Sequence, residues 1–418
     1  MRIKNTLYSI FNTQLSKNIS SLYLVQTTRY LIPLLMIPYI ARVLGVSSWG
    51  ILAFTQAFSL YLFLLVDYGF ELSATRMIAE NKGNHNKLAK ILVNVLSAKL
   101  LLSFLVVILA VIIKEVWNNI FDISILYWAG FFWAFSNSIN LFWFFQGIER
   151  VQFIALTDVA SKLIGLALIF YFVKSPGDEW IFLAINGGAS FVTFLISFIY
   201  VARNFGIFPP SLKDSFSMLD DGWNSFLIRS FSSVYSSTSP FIMGLISSPE
   251  LVGYYSAAEK ITRSVKEILR PITRTLYPHF SVLLKNDRNI AFYKIRLAFL
   301  SLSIIGLLLA LFVYLFSDSI ITLMFGDDFK NSILILQIMS LVILLSSMSN
   351  VISIQWMMTN NLDKKVAIYT FASLLVFISS AILLVPLFEG KGMAISIILA
   401  ELVLITICVL ALKKYKLI

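Results

Sequence analysis

Residues 91–113 read ILVNVLSAKLLLSFLVVILAVII, a run in which Lys99 is the single charged side chain. A transmembrane helix needs about 20 consecutive and mostly apolar residues to cross the hydrocarbon core of a bilayer. A strand of a transmembrane barrel would be shorter and would alternate in polarity. We therefore predict a membrane-spanning helix here, with a lysine inside it.

The same pattern recurs along the whole chain and predicts about twelve spans. Spans of this length satisfy their backbone hydrogen bonds internally only as helices, so the predicted fold class is an all-α membrane protein. The candidate spans lie near residues 20–44, 49–72, 88–113, 120–145, 151–173, 179–201, 222–246, 250–278, 293–317, 331–358, 364–387 and 391–412.

The composition leaves little room for anything outside the membrane. Of the 418 residues, 58% are hydrophobic and 13% are charged, whereas soluble domains have about 25% charged residues. A large soluble domain is therefore excluded. The formal net charge of +11 does not indicate nucleic acid, because no basic stretch belongs to a nucleic-acid-binding fold. With one cysteine, Cys408, and two histidines, His85 and His279, we expect no disulfide framework, no metal site and no cofactor.

Basic residues outside the spans are distributed unequally between the two sides of the membrane. If the amino terminus is cytoplasmic, the inner side receives Arg76, Lys82, Lys87, Lys90, Arg150, Arg203, Lys213, Lys285, Arg288, Lys294, Arg296, Lys364, Lys365, Lys413, Lys414 and Lys416. The outer side receives far fewer, namely Lys114, Lys174, Lys330, Lys391 and Arg42. Because cytoplasmic loops carry the excess of Lys and Arg, both termini are predicted to be cytoplasmic.

The connection over residues 202–221 is the most polar and proline-marked in the chain, and it separates six predicted spans from six. It divides the chain into an N-terminal lobe, residues 1–205, and a C-terminal lobe, residues 206–418. Weak similarity between the two halves supports a repeat. Trp49-Gly50 lies at the start of the second span, and Val252-Gly253 lies at the start of the eighth. Repeats of six plus six spans are a common transporter plan.

Several basic residues remain inside the predicted spans. A cation at the centre of a lipid-exposed helix costs about 2.5–3.5 kcal/mol on the mildest scale, so these side chains are expected to face the protein interior. The candidate substrate-binding cations are Arg29, Lys99, Lys162, Arg229, Lys260 and Arg263. Ion pairs within one helix are an open alternative for two of them, because Asp158 precedes Lys162 by four residues and Glu259 precedes Arg263 by four.

The eighth predicted span concentrates this charge. Helical spacing places Lys260, Arg263, Glu267, Arg270 and Arg274 on one face, which predicts a wet or ligand-bound surface. Arg270 and Arg274 lie near the cytoplasmic end and could instead extend to the interface. A voltage-sensing helix also carries a stripe of arginines, but Glu267 interrupts this one and the chain has no pore-loop signature.

Cations placed from the midplane towards the cytoplasm suggest a cavity that loads an anionic group from inside. Pyrophosphate suits such a site, since arginine forms forked, charge-assisted hydrogen bonds with phosphate oxygens. The candidate ion-coupling acids within the spans are Glu259, Asp158, Glu401 and Asp67.

The fourth span is rich in aromatic residues and also contains Asn137 and Asn140. Rings can stack on sugars while asparagines bind hydroxyls, but we favour lipid-facing Phe and interfacial Trp. The aromatic residues concerned are Trp128, Trp133, Phe142 and Trp143.

Four motifs, spread over both halves, resemble those of the Wzx-type polysaccharide flippases, or O-antigen transporters, of the MOP exporter superfamily. They are Pro38-Tyr39-Ile40-Ala41-Arg42-Val43-Leu44-Gly45 leading to Trp49-Gly50, Asp67-Tyr68-Gly69-Phe70 with Ser73 to Arg76, Phe144-Phe145-Gln146-Gly147-Ile148-Glu149-Arg150, and Val252-Gly253-Tyr254-Tyr255 with Ala257 to Lys260. The resemblance covers essentially the whole chain.

The resemblance implies two six-helix lobes arranged as a V, and alternating access in a bacterial inner membrane. It implies a cargo of oligosaccharide linked to undecaprenyl pyrophosphate, coupling to a proton or sodium gradient, and basic residues, Arg29 among them, lining a central cavity. Membrane lipid is an expected partner, and an O-antigen polymerase and a chain-length regulator are candidate partners. Nucleic acid is not expected.

We therefore predict a secondary transporter and not an enzyme. One alternative is a membrane glycosyltransferase or polymerase that acts on the same lipid-linked glycan, although the longest outer segment, near Ser317 to Lys330, holds only a few acids. The other is a multidrug exporter of the same superfamily, which the cationic interior disfavours.

Overall fold

The computed structural model describes residues 14–116, 124–415 and 417. Within its helices the side chains of residues 14–31, 33–34, 114–116, 124, 224 and 228–237 are not described. Over this part of the chain all regular secondary structure is helical and no strand is present. The prediction of an all-α protein is confirmed.

The α-helices are α1 Gln14–Asp67, α2 Phe70–Glu80, α3 His85–Val116, α4 Ser124–Ser138, α5 Phe142–Gly147, α6 Val151–Phe172, α7 Glu179–Phe205, α8 Leu212–Ile246, α9 Pro249–Ile268, α10 Arg270–Asn286, α11 Arg288–Leu315, α12 Ser317–Met324, α13 Ser332–Asn350 and α14 Asp363–Lys414. Short 3-10 turns at Asp327–Phe329 and Met358–Asn360, and a π-helical segment at Val351–Met357, complete the described elements.

Seven helical segments of the described part are long and apolar enough to cross a membrane. They are Leu35–Glu80, His85–Ile113, Val151–Phe172, Glu179–Phe205, Arg288–Leu315, Ser332–Asn360 and Asp363–Lys414. The predicted count of about twelve is therefore not exact. Two long helices, α1 and α14, each contain a kink, at Gly45 and at Glu389 respectively, so each covers two of the predicted spans. The chain is a multi-pass membrane protein.

Three predicted spans are interrupted by breaks. The span predicted at 49–72 breaks at Tyr68-Gly69, where both residues have positive φ, and the one at 120–145 breaks between α4 and α5. The prediction of one continuous span over 250–278 was wrong, because the chain turns at Leu269 between α9 and α10. Pro271 lies in the first turn of α10, where its missing N–H costs nothing, whereas further along a helix it would break a hydrogen bond.

The described chain divides into two compact units. Unit 1 comprises the residues up to Leu44 together with Thr55–Thr238, and unit 2 comprises Gly45–Phe54 together with the residues from Ser239 onward. The segment just after the kink at Gly45 thus packs with the second half of the chain. The division into lobes at residues 1–205 and 206–418 was inferred from a sequence repeat, and that division stays a prediction.

Each unit contains a core of aliphatic and aromatic residues, and large apolar side chains also cover the outside. Unit 1 buries Trp143, Phe144 and Phe145 in its core, and unit 2 buries Trp356 among others. Helix α11 shows the outer face, because the side chains of Leu297, Leu300, Ile304, Leu308, Leu311 and Leu315 are exposed. Such an apolar surface suits contact with lipid.

Candidate functional site

Lys99 is fully buried in unit 1 and is neutralised there. Its Nζ donates a hydrogen bond to Oδ1 of Asp67 at 2.9 Å and another to the carbonyl oxygen of Ser138. Nζ also lies 5.9 Å from the centroid of the Phe70 ring. The ion pair joins α1 to α3 and removes the cost of an isolated charge at membrane depth.

Lys162 also forms an ion pair in unit 1, with Asp158 one helical turn earlier on α6. The Nζ to Oδ2 distance is 2.6 Å, and the side chain of Asp158 is 9% exposed. The intrahelical alternative considered for Lys162 is thus the observed arrangement. Two of the predicted cations are therefore bound to two of the predicted coupling acids.

These two pairs lie beside one cavity, which has a volume of about 270 Å³. It is lined by Phe63, Asp67, Glu71, Asn137, Asn140, Phe142, Trp143, Asp158 and Lys162. Sequence reasoning missed Glu71, although its position two residues after Gly69, at the start of α2, placed it next to the Asp67 motif.

The break at Tyr68-Gly69 lies where two backbone segments pack closely. Gly69 has φ of +73°, and a β-carbon there would lie 2.6 Å from the backbone nitrogen of Phe226. Only glycine fits such a conformation and contact without strain. The break places Asp67 at the end of α1 and Glu71 in the first turn of α2.

Asn140 occupies the second break beside the cavity. Its side-chain Oδ1 accepts a hydrogen bond from the backbone N–H of Phe142 at 3.0 Å, which satisfies one of the unpaired donors at the start of α5. The indole of Trp143 follows, with the residue 2% exposed. The prediction that this aromatic group faces lipid was wrong for Trp143, since its ring belongs to the core of unit 1.

Unit 2 carries the predicted cations of the eighth span on α9. Lys260 is half-buried with its Nζ 5.6 Å from the centroid of the Trp49 ring, and Arg263 is exposed. Glu259 is half-buried and interacts electrostatically with Arg263, Lys260 and Lys266. Three cations of the same helix therefore surround this one carboxylate.

The predicted single cationic face does not continue past α9. Glu267 forms an ion pair with Arg270 across the turn at Leu269, with 2.9 Å between Oε2 and Nη1. Arg274 is exposed on α10, a separate helix. The face that can meet a ligand is thus shorter than the sequence indicated.

Glu401 is a buried acid of unit 2, on α14. Its Oε1 accepts a hydrogen bond from Oγ of Ser346 at 2.9 Å, and its Oε2 is buried without a hydrogen-bond partner in the described chain. The side chains of Arg29 and Arg229 lie outside the described part, so their roles stay predictions. Among the described residues, no group of three or more His, Cys, Asp or Glu side chains could hold a metal ion.

Known proteins resemble this chain over nearly its whole length. It is 30% identical to a protein of Escherichia coli (strain K12) named "Putative O-antigen transporter", with 96% of this chain and 98% of the relative covered. It is 28% identical to a protein of Shigella dysenteriae with the same name, at 96% and 100% coverage. Residues 15–284 match the family described as polysaccharide biosynthesis protein.

Solved structures share the fold at low sequence identity. The structure of the lipid II flippase MurJ in an inward closed conformation superposes with a TM-score of 0.70 at 17% identity, covering 94% of this chain and 87% of MurJ. A multidrug resistance MATE family transporter of the MOP superfamily, in its outward-facing conformation, gives a TM-score of 0.55 at 15% identity, covering 96% and 95%.

The full-length relatives and the family match confirm the resemblance that the sequence motifs indicate. The chain belongs to the family described as polysaccharide biosynthesis protein.

Proposed function

We propose that this chain is a flippase that moves an oligosaccharide linked to undecaprenyl pyrophosphate, such as an O-antigen repeat unit, across the bacterial inner membrane. It carries the cargo from the cytoplasmic to the periplasmic leaflet by alternating access, driven by a proton or sodium gradient. Its termini are cytoplasmic, and an O-antigen polymerase and a chain-length regulator act next on the product. The names of the two curated relatives and of MurJ support a lipid-linked glycan as the cargo.

The observation that carries the proposal is the charge of α9 within a multi-pass membrane protein. Lys260, Arg263 and Lys266 lie within about two turns of one helix, with one acid, Glu259, before them. Lipid does not tolerate this density of cations, so the helix borders water or an anionic ligand. A guanidinium and an ammonium at this spacing suit the two phosphate groups of a pyrophosphate.

The six predicted cations then fall into two groups. Lys260 and Arg263 contact the pyrophosphate, and the predictions for Arg29 and Arg229 add two more contacts. Lys99 and Lys162 already bind Asp67 and Asp158, so we assign them to the framework of unit 1. If such a lysine moved away from its carboxylate, a buried charge would be left without a partner, which costs about 3–5 kcal/mol.

The test is deletion of the gene for this chain in its own host, where the cognate glycan is present. The deletion strain is expected to lose the surface polymer and to accumulate lipid-linked glycan accessible only from the cytoplasmic side. A plasmid with the wild-type gene should restore both. Unchanged surface polymer after deletion would refute the function, and accumulation of free sugar donors without any lipid-linked glycan would indicate a glycosyltransferase instead.

A further inference from the structure

Helix α14 of unit 2 folds back on itself, so its two ends lie side by side. The kink at Glu389 separates its two arms, and Oγ of Ser373 on the first arm donates a hydrogen bond to the carbonyl oxygen of Ala400 on the second at 2.8 Å. The end of α10 and the start of α11 join these ends in one apolar core, to which Leu284, Phe292, Leu362 and Leu412 belong. This part of the molecule, residues 285–294, 363–365 and 413–414, is the basic end of unit 2.

The basic end of unit 2 carries a positive charge that its own acids do not balance. It contains two acids, Asp287 and Asp363, and seven basic residues, namely Lys285, Arg288, Lys294, Lys364, Lys365, Lys413 and Lys414. All seven basic side chains are exposed, and none forms an ion pair with a residue of the described chain. Oδ1 of Asp287 already accepts a hydrogen bond from the backbone N–H of Ile290 at 3.0 Å. These cations are therefore available to anions from outside the chain.

Unit 1 differs at the end that the sequence also places on the inner side of the membrane. Residues 76–90, 149–150 and 203–221 contain seven basic residues as well, but they contain five acids. Lys82 pairs there with Glu149 at 2.6 Å, and Arg76 lies 3.9 Å from Glu80. The positive-inside rule counts Lys and Arg and gives little weight to Asp and Glu. The rule therefore treats the two ends alike and does not explain why only unit 2 lacks compensating acids.

Exposed apolar side chains continue along the spanning helices from the basic end of unit 2. On α11, Leu297 and Leu300 follow Lys294, and on α14, Ile368 follows Lys365; all three apolar side chains are exposed. A surface that joins cations to an apolar stripe fits a molecule with an anionic head and a hydrocarbon tail.

The same arrangement recurs at a third helix end. At the end of α14, Leu410 is exposed just before Lys413 and Lys414. Three such ends around unit 2 can bind several headgroups at once. The surrounding membrane supplies anionic phospholipid in that number, whereas one cargo molecule has a single pyrophosphate.

We propose that the basic end of unit 2 binds anionic phospholipid, such as phosphatidylglycerol or cardiolipin. The ammonium and guanidinium groups donate charge-assisted hydrogen bonds to phosphate oxygens, and the acyl chains lie along the exposed faces of α11 and α14. Clusters of four to eight Lys and Arg residues beside a transmembrane helix are attracted to anionic headgroups in this way. In the predicted orientation this end meets the cytoplasmic leaflet. The proposal concerns a resident lipid and does not depend on the cargo of the flippase.

Native mass spectrometry of the purified full-length protein, released from detergent micelles, tests this proposal. The probes are phosphatidylglycerol and phosphatidylethanolamine with the same acyl chains, and the ratio of their Kd values measures the preference for the anionic lipid. The wild type is expected to bind phosphatidylglycerol more tightly. The preference should fall as the ammonium acetate concentration rises, because salt screens exposed charges.

A fourfold variant removes the cations of α14, and a matched variant removes four lysines from unit 1. The first combines Lys364→Gln, Lys365→Gln, Lys413→Gln and Lys414→Gln, and the second combines Lys82→Gln, Lys87→Gln, Lys90→Gln and Lys213→Gln. The first should lose the preference by about fivefold or more, since one lysine near an anionic surface contributes about that factor. The second, which also changes exposed side chains, should keep the preference of the wild type.

A smaller variant, Lys413→Gln with Lys414→Gln, should show an intermediate preference and replaces the fourfold variant if that protein does not fold. Equal binding of both lipids by the wild type would overturn the proposal. An equal loss in the variants of the two units would do so as well, because net charge alone would then explain the binding. Undecaprenyl pyrophosphate is the third probe, and the wild type should keep its phosphatidylglycerol when this probe is added at equal concentration. Displacement of the phospholipid would assign the surface to the cargo and refute a resident lipid.

Discussion

Gly50 and Gly253 pack against each other's helices so closely that a β-carbon on Gly50 would lie 2.7 Å from the backbone nitrogen of Gly253. The contact is reciprocal, because a β-carbon on Gly253 would overlap the backbone carbonyl of Val46. Both segments belong to unit 2. Both glycines also belong to the two similar motifs, Trp49-Gly50 and Val252-Gly253, that support an internal repeat. Small residues permit this close approach of helices in membranes.

Alanine at either position is expected to destabilise the protein by about 1–3 kcal/mol, because the atoms in the way belong to the backbone and cannot rotate aside. Thermal unfolding in detergent micelles measures the effect of Gly50→Ala and Gly253→Ala. The control is Gly188→Ala on α7, where a β-carbon meets nothing within 4 Å and helix propensity favours alanine by about 1 kcal/mol. Three variants of equal stability would contradict the packing argument.

The ion pair of Lys99 with Asp67 predicts a rescue by double substitution. Lys99→Met alone leaves a buried carboxylate and Asp67→Asn alone leaves a buried ammonium, and breaking such a pair costs about 3–5 kcal/mol. The double variant removes both charges and should recover most of the lost stability. If it also recovers flipping in proteoliposomes, Asp67 is structural. A stable but inactive double variant would instead assign Asp67 to ion coupling.

Sequence reasoning reached the fold and part of the site for identifiable reasons. The spacing of four residues between Asp158 and Lys162 is a local signal, so their pairing could be anticipated. Lys99 and Asp67 are on different helices, so only the tertiary structure brings them together. The apolar composition showed that helices span the membrane, but it did not show that Trp143 is buried in the core instead of facing lipid, because hydrocarbon and a protein core favour the same residues.

Asp178, in the loop between α6 and α7, predicts a pH dependence outside the membrane. Its Oδ2 accepts hydrogen bonds from the backbone N–H of Lys174 and from the backbone N–H and hydroxyl of Ser175, and these bonds lower its pKa below the ordinary value of 3.8. A lowered carboxyl pKa contributes stability that is present above the unfolded pKa and lost as the pH falls through the folded one. The difference in thermal midpoint between wild type and Asp178→Asn should therefore be largest near neutral pH and should disappear in strong acid. A difference that is constant with pH would contradict this.

Glu401 is the candidate acid best placed to respond to an ion gradient. Asp67 and Asp158 are in ion pairs, and Glu259 lies among three cations, whereas the hydrogen bond of Glu401 in the described chain comes from a neutral hydroxyl, that of Ser346. A buried carboxylate held by a neutral hydroxyl differs in this respect from the three acids that lie beside cations, so we test it as the coupling acid. Glu401→Gln keeps the acceptor for Ser346 and is expected to fold, yet its flipping rate in proteoliposomes should no longer rise when a proton or sodium gradient is imposed. Ser379→Ala, which alters an exposed hydroxyl on the same helix, is the control, and an unchanged response of Glu401→Gln would remove this acid from the coupling mechanism.

Arg263 is expected to bind the pyrophosphate of the cargo. Substitution by alanine or by lysine distinguishes the effect of its charge from that of its forked hydrogen-bond geometry. Loss of a charge-assisted hydrogen bond costs about 1.5–3 kcal/mol, so Arg263→Ala should slow flipping of a pyrophosphate-linked glycan in proteoliposomes by about ten- to hundredfold. Arg263→Lys keeps the charge but loses the forked donor set, so its rate should lie between those of alanine and wild type. Arg296→Ala removes an exposed arginine on α11 and should leave the rate unchanged when the protein is present at the same level. If Arg263→Ala were as fast as Arg296→Ala, the exposed guanidinium of α9 would be a solvated surface group, and the phosphate contact would have to be sought at Lys260 and Lys266.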